Sequence, residues 1–363
     1  MLAFSNDYYG FIFRATQSVE LFCAYLTSEC NLRCLHCYNE SGVLRNLINM
    51  KEYENILNSL PNGEDTTVTL SGGEPLLHPL IWEFVKKLDE KEFGRKLMIT
   101  NATLITPEIA KALKAHNLSI QVSLNGSCPD THDKLCGKGN FDKTIKGLKY
   151  LLDAGLAERV LIRCMVSAFN ITDVKKMIKM LAEQGIKHID LATLTLLGRG
   201  KKNIDKMYLL PKDKKAFIRN ISSDEEILRY IENGINISFP DEFTGVCPLI
   251  MDSIDGKKIP LTPRIDSSGN VYLCQIFSGE NYSIGNVYDE TLSEICKGDR
   301  LSHLVWFLRY GMKYMHECEK CVWQSSCGKG CLALALNNGS IQETDGECEL
   351  RKEQFLEDFL KQQ

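Results

Sequence analysis

Three cysteines stand close together in Cys30-Asn-Leu-Arg-Cys34-Leu-His-Cys37, with three and then two residues between them. Thiols at this density in a reducing compartment are metal ligands more often than disulfide partners. A closed zinc site takes four protein ligands, and so does a fully ligated iron–sulfur cubane. Three cysteines on a four-iron cubane leave one iron without a protein ligand, where a substrate or cofactor can chelate. The competing reading is a zinc ion completed by His36 or by a distant residue. A second constellation fills the C-terminal third: Cys247, Cys274, Cys318, Cys321, Cys327, Cys331 and Cys348. Its run Cys318-x2-Cys321-x5-Cys327-x3-Cys331, taken alone, also suits a zinc ribbon. The chain has 15 cysteines, an odd number, so complete pairing as disulfides is impossible.

These ligands need a scaffold, and the residues between them supply one by alternation. Residues 19 to 27 read as a buried strand, followed by the cysteine loop and a helix near 50 to 60. Strands follow at 68 to 72, 96 to 100, 120 to 124, 160 to 166 and 188 to 194, with amphipathic helical stretches between them. Gly155 and Gly185 stand where helices stop. Strand and helix alternate about six times, which implies a parallel sheet with right-handed crossovers, open or closed into a full or partial barrel. Ligands of such sheets sit at the carboxyl ends of the strands. Cys30 to Cys37, Gly72 to Pro75, Asn101 and Asn125 follow the first four strands in order. The alternation stops near Gly198-Arg199-Gly200. Residues 206 to 246 read as a helical bridge, and RIDSSGNVYLC at 264 to 274 reads as a hairpin.

CNLRCLHC resembles the CxxxCxxC signature of radical S-adenosylmethionine enzymes, with His36 at the usual aromatic position. The resemblance implies a partial (β/α)6 barrel, TIM-like, over residues 19 to 205. It implies a [4Fe-4S] cluster on Cys30, Cys34 and Cys37. The open iron would be chelated by the methionyl amine and carboxylate of S-adenosylmethionine. Reductive cleavage would give a 5′-deoxyadenosyl radical that abstracts hydrogen from an unactivated carbon. Further segments fall in register. Ser71-Gly72-Gly73-Glu74-Pro75 resembles the GGEP motif that meets the methionyl ammonium. Thr100-Asn101-Ala102 resembles a TNG segment, and Ser123-Leu124-Asn125-Gly126 an SLDG segment with Asn for Asp. The family pattern places Ser123 near the ribose or carboxylate, Asn125 in the pocket wall and Arg163 at the cofactor carboxylate. It places the backbone around Leu197 at adenine. His132-Asp133 through Asp142 resembles a further segment, with Cys136 where the family usually has Arg. Cys23, Cys128, Cys136 and Cys164 read as free cysteines, with a catalytic thiol at 128 or 136 as the alternative.

The C-terminal cysteines, at 247 to 363, resemble a SPASM domain of short strands and helices that carries auxiliary [4Fe-4S] clusters. By that pattern Cys318, Cys321, Cys327 and Cys348 hold one cluster, while Cys331 crosses to a second with Cys247 and Cys274. Eight cysteines would close two cubanes and this chain offers seven. Glu290 stands where the family has the eighth. Three readings stay open: an open iron that binds substrate, a non-cysteine ligand or Cys296, or one auxiliary cluster only. Cys296 itself reads as core packing.

The family's commonest substrates are ribosomally made peptides and proteins, matured by thioether or carbon–carbon crosslinks or to formylglycine. That is the expected function here, with auxiliary clusters taking electrons or binding substrate. Flavodoxin or ferredoxin would be the reductant, and a separate protein or the barrel mouth would recognise the peptide. Two alternatives remain: a haem-pathway enzyme modifying tetrapyrrole propionates, with Arg163 and Arg199 for the carboxylates, and a zinc-bound scaffold without catalysis. A net charge of −4 gives no drive toward nucleic acid or anionic membrane. No run approaches the ~20 apolar residues of a membrane span, and residues 1 to 18 read as an extension without signal-peptide character. A cytoplasmic location is expected.

Overall fold

The computed structural model describes residues 21–43, 45–60, 63–239, 263–277, 280–301, 303–304, 316–323, 327, 330–340 and 343–361. The extension at 1 to 18 and the ligand candidate Cys247 lie outside them, as do Trp306, Tyr310 and Tyr314, which read as core or electron-path residues.

Six parallel strands form the frame: β1 (Leu21–Thr27), β2 (Gly63–Gly72), β3 (Phe93–Thr100), β4 (Ser119–Ser123), β5 (Val160–Val166) and β6 (His188–Thr193). They lie side by side in chain order, each paired in parallel with the next. Helices cross between them: α1 (Met50–Ser59), α2 (Ile81–Asp89), α3 (Pro107–Ala115), α4 (Pro129–Cys136), α5 (Asn140–Asp153) and α6 (Val174–Glu183). Their apolar spacing sets the packing. In α2 the residues Ile81, Phe84, Val85 and Leu88 are buried; in α6 they are Val174, Met177, Ile178 and Leu181. Each repeats at i, i+3, i+4, i+7, one face of a helix laid on the sheet. Each such side chain contributes about 1.5–3 kcal/mol when fully buried. Strand β5 alternates, with Val160, Ile162, Cys164 and Val166 buried and Leu161, Arg163 and Met165 on the opposite, more open face. Cys164 is thus a core residue.

The sheet extends further than six strands. Beyond the short helices α7 (Gly198–Lys202) and α8 (Ile204–Met207), α9 (Pro211–Ser222) and α10 (Glu225–Glu232) lead into β7 (Asn236–Ser238). This strand pairs in parallel with β6, so the stretch expected to be wholly helical also lengthens the sheet. At the other edge β8 (Arg264–Ile265) pairs in parallel with β1, and β9 (Asn270–Tyr272) returns antiparallel to β8 as the expected hairpin. β10 (Gly285–Asn286) closes that edge. The cysteine-rich region therefore begins as a continuation of the barrel sheet. Helices α11 (Leu292–Lys297), α12 (His316–Glu319), α13 (Leu332–Asn338) and α14 (Cys348–Lys361) carry the remaining cysteines or flank them. No helix among the described residues is long and apolar enough to cross a membrane.

Candidate active site and metal centres

The loop after β1 carries Cys30, Cys34 and Cys37, and its backbone is held from three sides. Leu35 N donates to Leu135 O at 2.8 Å, and Arg199 N donates to Cys37 O at 2.9 Å. Glu74 N donates to Glu29 O at 2.8 Å, and Gly73 N to Thr27 O at 2.7 Å. The two glycines are needed for this contact. A Cβ on Gly73 would lie 1.8 Å from Glu29 O, and one on Gly72, at φ +137°, 2.3 Å from Thr27 O. The glycines of the Gly72-Gly73-Glu74 motif thus let β2 meet the cysteine loop.

Glu74 is almost fully buried. Its carboxylate accepts from Thr100 Oγ1 at 2.7 Å, Asn101 N at 2.8 Å and Leu76 N at 3.3 Å. Burial pushes its carboxyl up to about 7, against the pull of those donors. Asn101 extends the network. Its Nδ2 donates to Asn31 Oδ1 at 3.0 Å, inside the cysteine loop, and its Oδ1 accepts from Thr103 N at 3.0 Å.

Among the cysteines, burial pushes the Cys30 thiol up to about 12, with the charges of Glu74, Cys34 and Cys37 adding to it. The Cys34 thiol is raised by its bond to the Cys136 thiol and by burial. Cys30 and Cys34 thus stay thiols until a cation displaces their protons, as expected of ligands that metal loading completes. His36 Nδ1 and His132 Nε2 are buried without hydrogen-bond partners among the described residues. Burial lowers both imidazoles to about 4, so both are neutral at pH 7.

Cys136, expected to be a free core cysteine, stands in the site. Its sulfur, that of Cys34 and a ring nitrogen of His36 all lie within 4.8 Å of one another. Asn125 Nδ2 donates to Cys136 Sγ at 3.3 Å. The signal available in the sequence was its position, in a segment of family resemblance where Arg is usual. Cys128 lies elsewhere, at the N-terminal end of α4, with its sulfur 3.5 Å from Thr131 Oγ1.

The remaining pocket candidates divide. Asn125 is buried and ties β4 to β5, accepting from Met165 N at 2.8 Å. Ser123 ends β4, opposite Arg163. Arg163 is half exposed and pairs with Asp190 at 2.6 Å. Leu197 is buried just before α7.

At the far end of the chain, Cys318, Cys321, Cys327 and Cys348 line one pocket together with Trp323 and Arg351. Four thiols around one space is a ligand set that fits a closed cubane. Burial pushes the Cys331 thiol up to about 11, with the charge of Cys274 adding to it. Neither of those two lines the pocket of the first four. Cys296 packs against the core, and burial alone pushes it up to about 11, with no other described cysteine acting on it. Glu290 follows β10 in a turn, its N–H bonded to Asn286 O at 3.0 Å.

Comparison with known proteins agrees with this arrangement. Residues 25–181 match the family described as "Radical SAM superfamily", and residues 263–322 match SPASM, described as "Iron-sulfur cluster-binding domain". The mycofactocin maturase MftC of Mycobacterium tuberculosis is 27% identical over 335 residues, covering 89% of this chain and 81% of that protein. The Fe-coproporphyrin III synthase of Methanosarcina barkeri is 27% identical over 361 residues, covering 91% and 88%. Native anSMEcpe, solved with bound AdoMet and the Cp18Cys peptide, superposes with a TM-score of 0.67 at 23% identity over 94% of this chain and 96% of that one. Two family matches in tandem, on a parallel barrel sheet whose strand ends carry the cysteine loop, make the chain a radical S-adenosylmethionine enzyme of the SPASM-domain subgroup.

Proposed function

We propose that this chain is a maturase acting on a ribosomally made peptide or protein, which it modifies oxidatively by a thioether, a carbon–carbon crosslink or a related change. One observation carries the reading: the loop bearing Cys30, Cys34 and Cys37 is braced by Gly73 and Glu74 of one strand end and by Arg199 beyond the last barrel strand. In this reading Cys30, Cys34 and Cys37 hold a [4Fe-4S] cluster, and Cys318, Cys321, Cys327 and Cys348 hold an auxiliary one. Cys274 and Cys331, with Cys247, ligate a further cluster. Bound cluster and S-adenosylmethionine together supply one-electron cleavage of a sulfonium and, from it, hydrogen abstraction from carbon.

The chain's own residues bind and orient. Glu74 sits where a carboxylate can face the methionyl ammonium, and Thr100 and Asn101 fix its oxygens. In this reading Asn101, Ser123, Asn125, Arg163 and Leu197 line the cofactor position, and His36 belongs to the cluster loop. We divide the chain into an extension at 1–18, the barrel at 19–205, a bridge at 206–246 and the auxiliary-cluster domain at 247–363. A reductant such as flavodoxin or ferredoxin supplies the electron, and a separate protein can deliver the peptide.

Relatives favour a peptide. The name of MftC is that of a maturase, and anSMEcpe was solved with a peptide bound. The Fe-coproporphyrin III synthase, at equal identity, keeps the tetrapyrrole reading in play. Against it, the two arginines expected to grip propionates are engaged otherwise: Arg163 by Asp190, and Arg199 by the carbonyls of Cys34 and Ser41. Incubation of reduced, anaerobically reconstituted enzyme with candidate peptides and with porphyrins, read by mass spectrometry, separates the two. Peptide mass change with 5′-deoxyadenosine release is the expected result; decarboxylated porphyrin overturns it. Two or three cubanes require about eight to twelve irons per chain; zinc without iron or sulfide would restore the scaffold reading.

A further inference from the structure

The pocket lined by Cys318, Cys321, Cys327 and Cys348 is also lined by a buried cation. Arg351 stands one turn after Cys348 on α14, and its side chain is 2% exposed. Its Nη1 donates to Asp345 Oδ2 at 2.8 Å and its Nη2 to Asp345 Oδ1 at 2.6 Å, a two-pronged pair out of water. Asp345 accepts twice more: Cys331 N donates to Oδ2 at 2.9 Å, and Glu347 N to Oδ1 at 3.1 Å. The backbone at Gly330, at φ +78°, is pressed against this pair. A Cβ there would lie 2.2 Å from Asp345 Oδ2 and 2.6 Å from Arg351 Nη2.

One donor of the guanidinium is left over. Arg351 Nε is buried with no hydrogen-bond partner among the described residues. A buried N–H of a charged group without an acceptor is costly, so an acceptor belongs at that place. Arg351 lines the same pocket as the four cysteines.

We propose that Arg351 donates its Nε–H to a cysteine sulfur of the outer auxiliary cluster and sets that cluster's reduction potential, while Asp345 holds the guanidinium and joins it to Cys331. The inference rests on the reading that the four lining cysteines ligate a [4Fe-4S] cluster. A four-thiolate cubane goes from dianion to trianion when it takes one electron. A fixed cation and a hydrogen bond to sulfur favour the more negative state, so the potential rises. The Asp345 carboxylate acts the other way, from farther off. Because Asp345 also binds Cys331 N, the same pair sits between the ligands of the two auxiliary sites. Arg351 is thus a positioning and tuning residue for electron uptake.

The test is a redox titration of the reconstituted full chain, followed by electron paramagnetic resonance. The outer cluster's signal is identified as the one lost in Cys348→Ala. Arg351→Gln is expected to move that midpoint to a more negative potential, and Arg351→Lys to move it less in the same direction. Asp345→Asn is expected to move it positive. The midpoint of the cluster on Cys30, Cys34 and Cys37 stays put. A pair that only braces the fold would be broken by either substitution and would give shifts of one sign, or none. Equal midpoints in Arg351→Gln and Asp345→Asn, or shifts of the same sign, overturn the proposal. If Arg351→Gln does not retain the cluster, Arg351→Lys and Asp345→Asn decide: opposite signs support it, and unchanged or same-sign midpoints overturn it. If the native chain shows no signal that Cys348→Ala removes, the cluster assignment fails, and with it the basis for the tuning role.

Discussion

Arg199 donates from Nε to the carbonyl oxygen of Cys34 at 2.8 Å and from Nη1 to that of Ser41 at 3.1 Å. Arg199 lies beyond β6 and Cys34 beyond β1, strands at opposite ends of the six-strand run. The bond therefore ties together the loops that follow the first and last of those six strands. Gly198 allows it: at φ +50°, a Cβ there would sit 2.5 Å from Tyr38 O. Arg199→Ala removes two charge-assisted bonds and leaves two carbonyls short of a donor, which costs about 1.5–3 kcal/mol. We expect a lower melting temperature and a cluster that a chelator strips faster than from the native chain. Arg199→Lys keeps the charge without the fork and falls between the two. Equal stripping rates in all three would show that the clamp does not hold the loop.

Gly73 makes a sharper case. With 1.8 Å between its would-be Cβ and Glu29 O, Gly73→Ala forces the end of β2 off the chain leading into Cys30. None of the atoms nearest to that Cβ belongs to the C-terminal region. The expected outcome is a folded chain that loses the irons of the first cluster and keeps those of the auxiliary clusters. Iron and sulfide analysis of the purified variant measures this directly. A native iron count in Gly73→Ala would mean the loop tolerates the shift.

Asp173 ties the segment before α6 to the segment around the start of α4. Its Oδ2 accepts from Ser127 N and from Thr131 Oγ1, and its Oδ1 from Ser127 Oγ, each at 2.6 Å. Burial raises this carboxyl, but the donors from Ser127 and Thr131 outweigh it and hold it below the ordinary aspartate value. A carboxyl depressed in the folded state contributes stability above its unfolded value, and loses it as pH falls through the folded value. Asp173→Asn should therefore cost about 2 kcal/mol at pH 7. That difference from the native chain should shrink once the pH falls below the ordinary value of 3.8. Urea unfolding at the two pH values reads it. A pH-independent difference would point to shape rather than charge.

The parts legible in the sequence are those that local periodicity or short spacing encodes. The strand at 160 to 166 alternates buried and open residues, and the helix from Val174 buries every third and fourth residue, so both were readable. Cys30, Cys34 and Cys37 lie within one loop, and their grouping needed no tertiary contact. What escaped depends on pairings remote in sequence. Arg199 reaches Cys34 across 165 residues, and β8 joins β1 across most of the barrel. β7 has three residues and only one of them is buried, too short a stretch for periodicity to announce. The glycines of Gly72-Gly73 were legible as close-approach residues, but what they approach, the backbone of Thr27 and Glu29, was not. Cys136 carried a weak signal, an unusual residue in a familiar segment, and only folding of α4 under the cysteine loop brings it to Cys34.

That last contact has a chemical consequence in the cluster-free chain. Cys34 and Cys136 place their sulfurs within 4.8 Å, close enough for small movements to join them. Diamide takes two electrons and two protons from a pair of thiols and leaves a disulfide. In the cluster-free protein, brief diamide treatment should therefore link the peptides carrying Cys34 and Cys136, seen by mass spectrometry of a non-reduced digest. Loading the first cluster should suppress the link, because Cys34 is then bound to iron and its partner has nothing to attack. Cys136→Ser removes the link and leaves the three cluster ligands intact, so its iron content should stay at the native level. If Cys136→Ser instead loses the first cluster, Cys136 is needed to build that site and is more than a neighbour of it. If diamide joins Cys34 to Cys30 or Cys37 in preference, the close approach of α4 to the loop does not govern the chemistry of this thiol.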